Sequence, residues 1–147
     1  MDIAKALAVI DRLRTGAFPA EPVRTDVGTA GPGYSIAELE TSDGFWEDDG
    51  TLREETEEQY EYDRDGLEER LTERWGPPRE ISLYSVLHRT VEGEDLPEPW
   101  ASLSGHVPNV RLWREQETGR WIALGVSQWD RELPFQLLAV VTDTDPP

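Results

Sequence analysis

The chain has 147 residues, 31 acidic and 14 basic side chains, a net charge of -17 and no cysteine. A chain of this length forms about one domain around one core, and six tryptophans among several Val/Ile/Leu-rich runs give it apolar surface to bury. The missing thiols exclude disulfides, thiolate metal sites and cysteine nucleophiles, and the charge disfavours direct binding to nucleic acid or an anionic membrane, because like charges repel.

Asp2 is placed to cap a first helix in which Ile3, Ala6, Leu7, Ile10 and Leu13 share one face, with Gly16 at its end. The apolar run there is short, contains Lys5 and is followed at once by Asp11, Arg12 and Arg14, so it does not read as a secretory leader. No stretch approaches the ~20 apolar residues of a membrane helix, and a cytoplasmic location is expected. Residues 17–33, with Pro19, Pro22, Gly28, Gly31, Pro32 and Gly33, are expected to form an irregular connection. The glycine spacing there lacks the Lys-Ser/Thr of a phosphate-binding loop. Residues 34–40 read as a short strand, and Ser42-Asp43-Gly44 as a turn.

Residues 51–75 are the most informative stretch. Leu52, Thr56, Tyr60, Leu67, Leu71 and Trp75 recur at four and seven, which stacks them on one helical stripe. Thr51 and Glu54 have capping-box spacing, Gly76-Pro77-Pro78 stops the helix, and the apolar residues stay in phase across Gly66, so one long helix is expected. Residues 79–83 read as a strand; 84–89 either continue it or form a short helix capped by Ser82. Residues 91–109 read as a loop carrying Trp100. After this the pattern turns to strands, with 110–115 and 120–126 alternating around Gln116-Glu117-Thr118-Gly119 as a hairpin. Residues 135–142 form a more fully apolar strand suited to the sheet interior, and 143–147 are expected to fray.

Most catalytic constellations fail on residue types. The two histidines, His88 and His106, have no metal-site spacing, and His106 in its Pro-flanked loop points to a hydrogen-bonded structural role ahead of a ligand or catalytic one. Gly125-Val126-Ser127-Gln128-Trp129 begins like a nucleophile elbow, but Trp129 stands where a packing glycine is needed. Placing Gly50 or Gly66 sixth in a calcium loop puts Thr56 or Thr72 at the twelfth position, where a bidentate Glu is required. The expectation is a protein that is not an enzyme, with no cofactor and no metal.

Two surfaces stand out. Almost all of the excess negative charge lies between residues 37 and 99, so the molecule is expected to be electrically lopsided. Within that region Glu54, Glu58, Glu61, Asp65 and Glu68 form a carboxylate ridge opposite the apolar stripe. Acids so spaced stand ~5–6 Å apart, within about a factor of two of the ~3.4 Å charge spacing along a DNA strand, which would suit a basic groove. The second surface is aromatic: Trp100, Trp113 and Trp129 with His106 form a candidate ligand-binding pocket, Trp129 being the one expected to be partly exposed.

Pro97-Glu98-Pro99-Trp100-Ala101-Ser102-Leu103, Gly105-His106-Val107-Pro108 and the run 121–138 (WIALGVSQWDRELPFQLL) resemble an uncharacterised family of short bacterial proteins. The resemblance covers about the last third of the chain, and more loosely the acidic helix with its Arg74-Trp75-Gly76-Pro77-Pro78 ending. It implies no activity, ligand or catalytic residue.

The sequence therefore predicts one α+β domain over residues 1–147. Its N-terminal helix and long acidic helix would lie on one face of a mostly antiparallel sheet of about four or five strands. The expected function is binding of a basic protein partner through Glu54, Glu58, Glu61, Asp65 and Glu68, in the manner of a toxin-neutralising (immunity) protein or a DNA-mimic inhibitor. The alternative is a small-molecule domain using Trp100, His106, Trp113 and Trp129. A monomer or weak homodimer is expected, without nucleic acid or membrane contact.

Overall fold

Four helices and seven strands follow one another as α1 (Ile3–Thr15), β1 (Val23–Arg24), β2 (Gly28–Gly31), β3 (Tyr34–Thr41), α2 (Thr51–Trp75), β4 (Arg79–Ser82), α3 (Tyr84–Val91), α4 (Trp100–Ser104), β5 (Asn109–Arg114), β6 (Trp121–Gln128) and β7 (Phe135–Thr142). The computed structural model describes residues 1–147. The strands form one sheet in the order β1-β2-β3-β7-β6-β5-β4, every neighbouring pair antiparallel. The class is α+β, and the sheet has seven strands where four or five were expected.

Side-chain alternation divides the core. Ala139 and Val141 of β7, with Ile122, Leu124 and Trp113, meet Ala6 and Ile10 of α1 and Leu67 and Leu71 of α2. Leu138 and Val140, with Ala123, Trp121, Val110 and Leu112, meet Val86 of α3 and Trp100 and Leu103 of α4. The N-terminal helix and the long acidic helix share one face, as expected, and α3 and α4, which the sequence pattern did not place, cover part of the other. The period of two sends neighbouring residues to opposite sides, so the near-continuous apolar runs of β6 and β7 demand a cover on each. The hairpin β5–β6 and the central placement of β7 agree with the sequence pattern.

Several local expectations change. Residues 17–33 are not simply irregular, since β1 and β2 extend the sheet there. Gly28 serves close strand contact: a Cβ on it would lie 2.2 Å from the Ile36 carbonyl oxygen, so a residue that reads as loop punctuation is a strand residue. The loop over 91–109 contains α4, preceded by a cis peptide bond between Glu98 and Pro99. The stretch after Ser82 is helical, and the Ser82 hydroxyl accepts from the Tyr84 N–H at 3.2 Å. The tail does not fray through Asp145: the Asp143 N–H donates to Gly33 O, Trp100 Nε1–H to Thr144 O at 3.0 Å, and Trp121 Nε1–H to Asp145 Oδ1 at 2.9 Å.

α2 runs unbroken for 25 residues, through Gly66. Its cap differs from the expected Thr51/Glu54 box. Gly50 takes a left-handed φ of 103° and carries no side chain to cap with, so Asp48 folds back instead and accepts from the N–H groups of Gly50, Leu52 and Arg53 at 3.0, 3.2 and 2.9 Å. The buried stripe is also rotated. Tyr60, Leu67 and Leu71 are buried as the periodicity predicts, but Leu52 is 55% exposed and Asp63 and Arg64 are buried. The first turns of α2 lie over a polar end of the sheet, where Arg53 rather than Leu52 finds partners.

Candidate functional site

One end of the sheet gathers most of the chemistry. β6 ends and β7 begins there, joined by residues 129–134, and the start of α2 crosses above. Backbone bonds stitch this end together: Gln128 N–H donates to His106 O at 3.0 Å, and Phe45 N–H to Glu132 O at 2.8 Å. Arg53 donates through Nε and Nη2 to Gln128 Oε1 at 3.2 and 2.7 Å, pairs through Nη1 with Glu57 at 3.1 Å, and lies over the Phe135 ring at 5.3 Å. Every donor-bearing nitrogen of this guanidinium is thereby engaged, which holds it in place on the floor of a cleft.

His106 is the pivot. Its Nδ1 shares a 2.5 Å hydrogen bond with Ser127 Oγ, and its ring stacks on Trp129 with centroids 3.7 Å apart and planes at 16°. Alternation along β6 turns Ser127 inward, where it is fully buried, so its hydroxyl orients the imidazole and is closed to substrate. Burial pushes the imidazole down to about 4, which leaves it neutral at pH 7. It offers a hydrogen-bonding, stacking surface rather than a charge.

Three clefts border this ring; one of about 630 Å³ lies beside α3, walled by Ser82, Tyr84 and Leu87, and the other two lie on opposite faces of the sheet. The smaller, about 240 Å³, is polar and runs between α2 and the sheet, walled by Arg53, Glu57, Glu61, Arg64 and Gln128. The larger, about 670 Å³, lies over the opposite face of β3 and β7, with Ile36 and Leu138 on its floor and Pro99, Ser102, His106 and Trp129 at its wall. The helices α3 and α4 cover the β4–β5–β6 half of that face and leave this part open. No group of three or more carboxylate or imidazole side chains converges as a metal site.

The expected aromatic pocket is brought together only in part. Trp129 is 61% exposed and meets His106. Trp100 is fully buried on the α4 side, and Trp113 is buried on the α2 side, where its Nε1–H donates to Gly76 O at 2.9 Å. The two are on opposite faces because Trp100 rides on α4, which packs on the Val110 and Leu112 side of β5, while alternation along β5 turns Trp113 to the other side. Arg53 and Gln128 join the site unannounced by the sequence, whereas Ser127, weighed there as a nucleophile, joins it as the hydrogen-bond partner of His106; the period-two reading of β6 places Ser127 on the face of Trp121 and Ala123.

The carboxylate ridge is rotated with its helix. Glu54, Glu58 and Asp65 are exposed. Glu61 is half-buried in the polar cleft, and Glu68 turns toward the sheet to pair with Arg111 at 2.9 Å. The row that faces solvent is Glu55, Glu58, Tyr62, Asp65, Glu69 and Glu73, with Glu54 beside it. Tyr62, at its centre, is 74% exposed, and Trp46 just ahead of α2 is 68% exposed.

A comparison of the chain with family models, curated proteins and solved structures finds no match.

Proposed function

We propose that the protein binds a basic protein partner through the outer face of α2, with Glu54, Glu58 and Asp65 joined by Glu55 and Glu69 and with Tyr62 as the apolar anchor. The observation that carries this reading is the unbalanced charge of that face. Glu54, Glu55, Glu58, Glu69 and Glu73 form no ion pair within the chain. Glu54 with Glu58, Asp65 with Glu69 and Glu69 with Glu73 stand four residues apart on the helix. Each such like-charge pair destabilises a helix by a few tenths of a kcal/mol, a strain that cations of a partner relieve. An aromatic ring standing in solvent among acids has the composition of an interface hot spot within a polar rim.

Toxin neutralisation (immunity) or DNA mimicry is the concrete form this takes, since both need a fixed array of carboxylates matched to a basic groove. The test is capture from native host lysate by wild type and by a variant with Glu54, Glu55, Glu58, Asp65 and Glu69 changed to Gln. Wild type is expected to retain a basic protein that moderate salt releases. The variant is expected to lose at least about tenfold in affinity, in line with one or more hot-spot contacts. Equal retention by both proteins rules the acidic face out.

A second reading rests on a separate observation, the exposed Trp129–His106 stack beside a cleft with an apolar floor. Such a surface suits a planar small molecule, which would extend the stack. Screening planar heterocycles by thermal shift and tryptophan fluorescence is expected to yield ligands that stabilise wild type and not Trp129→Ala. A screen whose hits stabilise both proteins equally removes Trp129 from the site.

A further inference from the structure

Two carboxyl groups outside both surfaces meet across the core-facing side of the sheet. β3 pairs with β7 in regular register up to Glu38 opposite Leu138, and then Glu40 stands opposite Leu137, so Leu39 is an extra residue. This β-bulge breaks the alternation of β3. Without it Glu40 would share the face of Ile36 and Glu38; with it Glu40 joins Leu39 and Leu137 on the face of α2. Re-aiming one side chain is a recurrent use of a bulge.

What Glu40 is aimed at is Asp63. Asp63 lies on the buried side of α2 with 8% of its surface exposed, and its Oδ1 accepts from Gln59 Nε2–H at 3.0 Å. Its Oδ2 and the Oε2 of Glu40 are buried without a hydrogen-bond partner, and no other buried side-chain polar atom in the chain is so placed. An ionised carboxylate only accepts, so two ionised groups here would leave both oxygens orphaned and two like charges out of water. A proton on either turns it into a donor to the other and satisfies both at once.

We propose that Glu40 and Asp63 share a single proton, forming a proton-dependent clasp that holds α2 to β3 and loosens as the pH rises. The surroundings favour this state. Burial first, and then the hydrogen bond and charge of Asp63, raise the Glu40 carboxyl from its ordinary 4.5 to about 7, while the amino group of Met1 opposes the shift. Tyr60 of α2 is pushed above the usual tyrosine range by burial and by the carboxylates of Glu40, Asp63 and Asp43, so it stays a neutral phenol beside the pair. On the outer side Glu40 opens onto a cleft bordered by Met1, Asp2 and Lys5 at the start of α1 and by Arg24, itself paired with Glu38 at 3.0 Å. Leu137 of β7 adds no charge.

The linkage has a definite sign. The folded pair retains a proton that an unfolded glutamate releases near 4.5, so the clasp contributes fully below that pH and its contribution is lost as the pH rises toward about 7. Because the two groups titrate together, the proton belongs to the pair. The proposal needs no partner and stands or falls independently of what the acidic face binds.

The experiment is carboxyl-carbon NMR titration of the whole protein together with thermal unfolding of wild type and Glu40→Gln across neutral pH. The carbon of Glu40 is expected to titrate with a midpoint near neutral, well above the ordinary carboxylate range. Glu40→Gln carries a permanent N–H donor and no proton to lose. It is expected to match wild type in mild acid and to exceed its melting temperature above neutral pH. Asp63→Asn is expected to return the Glu40 midpoint toward the ordinary range, and with the wild-type titration it decides the matter if Glu40→Gln does not fold. A Glu40 carbon titrating in the ordinary range, or parallel stability curves for wild type and Glu40→Gln, would overturn the proposal.

Discussion

Trp100→Ala is expected to lower the unfolding free energy by ~3–5 kcal/mol, the usual range for removing a large buried aromatic side chain. Trp100 is fully buried among Leu83, Leu103, Val107 and Leu138, and its indole N–H is the donor that holds Thr144 O in the C-terminal tail at 3.0 Å. The substitution leaves a cavity where α4 meets the sheet and orphans a carbonyl that closes the tail over it. Urea unfolding measures the loss as a lowered midpoint at constant slope. Trp129→Ala is the matched control, since Trp129 is 61% exposed and its loss is expected to change stability by less than about 1 kcal/mol. The pair separates the two roles that a single aromatic count merges: one indole holds the fold, the other faces solvent at the candidate site. A loss below about 1 kcal/mol for Trp100→Ala contradicts its place in the core.

Arg120→Met is expected to destabilise by ~2–3 kcal/mol, the scale of hydrogen bonds made by a charged donor with a buried stem. The last carbonyls of a helix lack intrahelical donors, and at the end of α1 a distant side chain adds donors to the single Gly16 N–H bond to Leu13 O at 3.3 Å. Arg120 Nη1–H donates to the carbonyls of Leu13, Arg14 and Gly16 at 3.3, 3.1 and 2.6 Å. The same guanidinium lies over the Phe18 ring at 4.1 Å and its Nε is 3.5 Å from Asp143. Methionine keeps much of the apolar stem and removes every donor, so the loss reports the carbonyls rather than packing. Amide exchange is the sharper readout: the last turn of α1 should exchange faster in Arg120→Met while the central strands β6 and β7 keep their order of protection. Unchanged exchange at the end of α1 would show that the turn closes without Arg120.

These two positions also show how the sheet organises function. Trp100 and Arg120 hold α4, the tail and α1 against a central β7, and this frame leaves two regions without a cover. One is the outer side of α2, where acids and Tyr62 face solvent. The other is the cleft over β3 and β7, closed at one end by the Trp129–His106 stack. The proposed partner and the proposed planar ligand use different regions, so the charge variant and Trp129→Ala test them separately.

The strands and helices with a strong period were legible in the sequence. The caps and ends of α1, the hairpin of β5 and β6, the apolar β7 and the length of α2 follow from local spacing, because turn residues, period two and period 3.6 act over a few neighbours. Tertiary structure alone decided the rest. Val23–Arg24 and Gly28–Gly31 become strands because β3 offers an edge to pair with, a contact no local propensity encodes. The start of α2 turns Arg53 toward the sheet and exposes Leu52 because the sheet beneath ends in Gln128, and this rotation takes Glu61 and Glu68 out of the solvent-facing ridge. The four-residue aromatic pocket reduces to His106 and Trp129 because α4 carries Trp100 to one side of the sheet while alternation along β5 turns Trp113 to the other. Glu40 meets Asp63 only because one extra residue in β3 shifts the alternation. Local spacing says which residues share a face; which face is covered, and by what, is set by pairings between residues far apart in the chain.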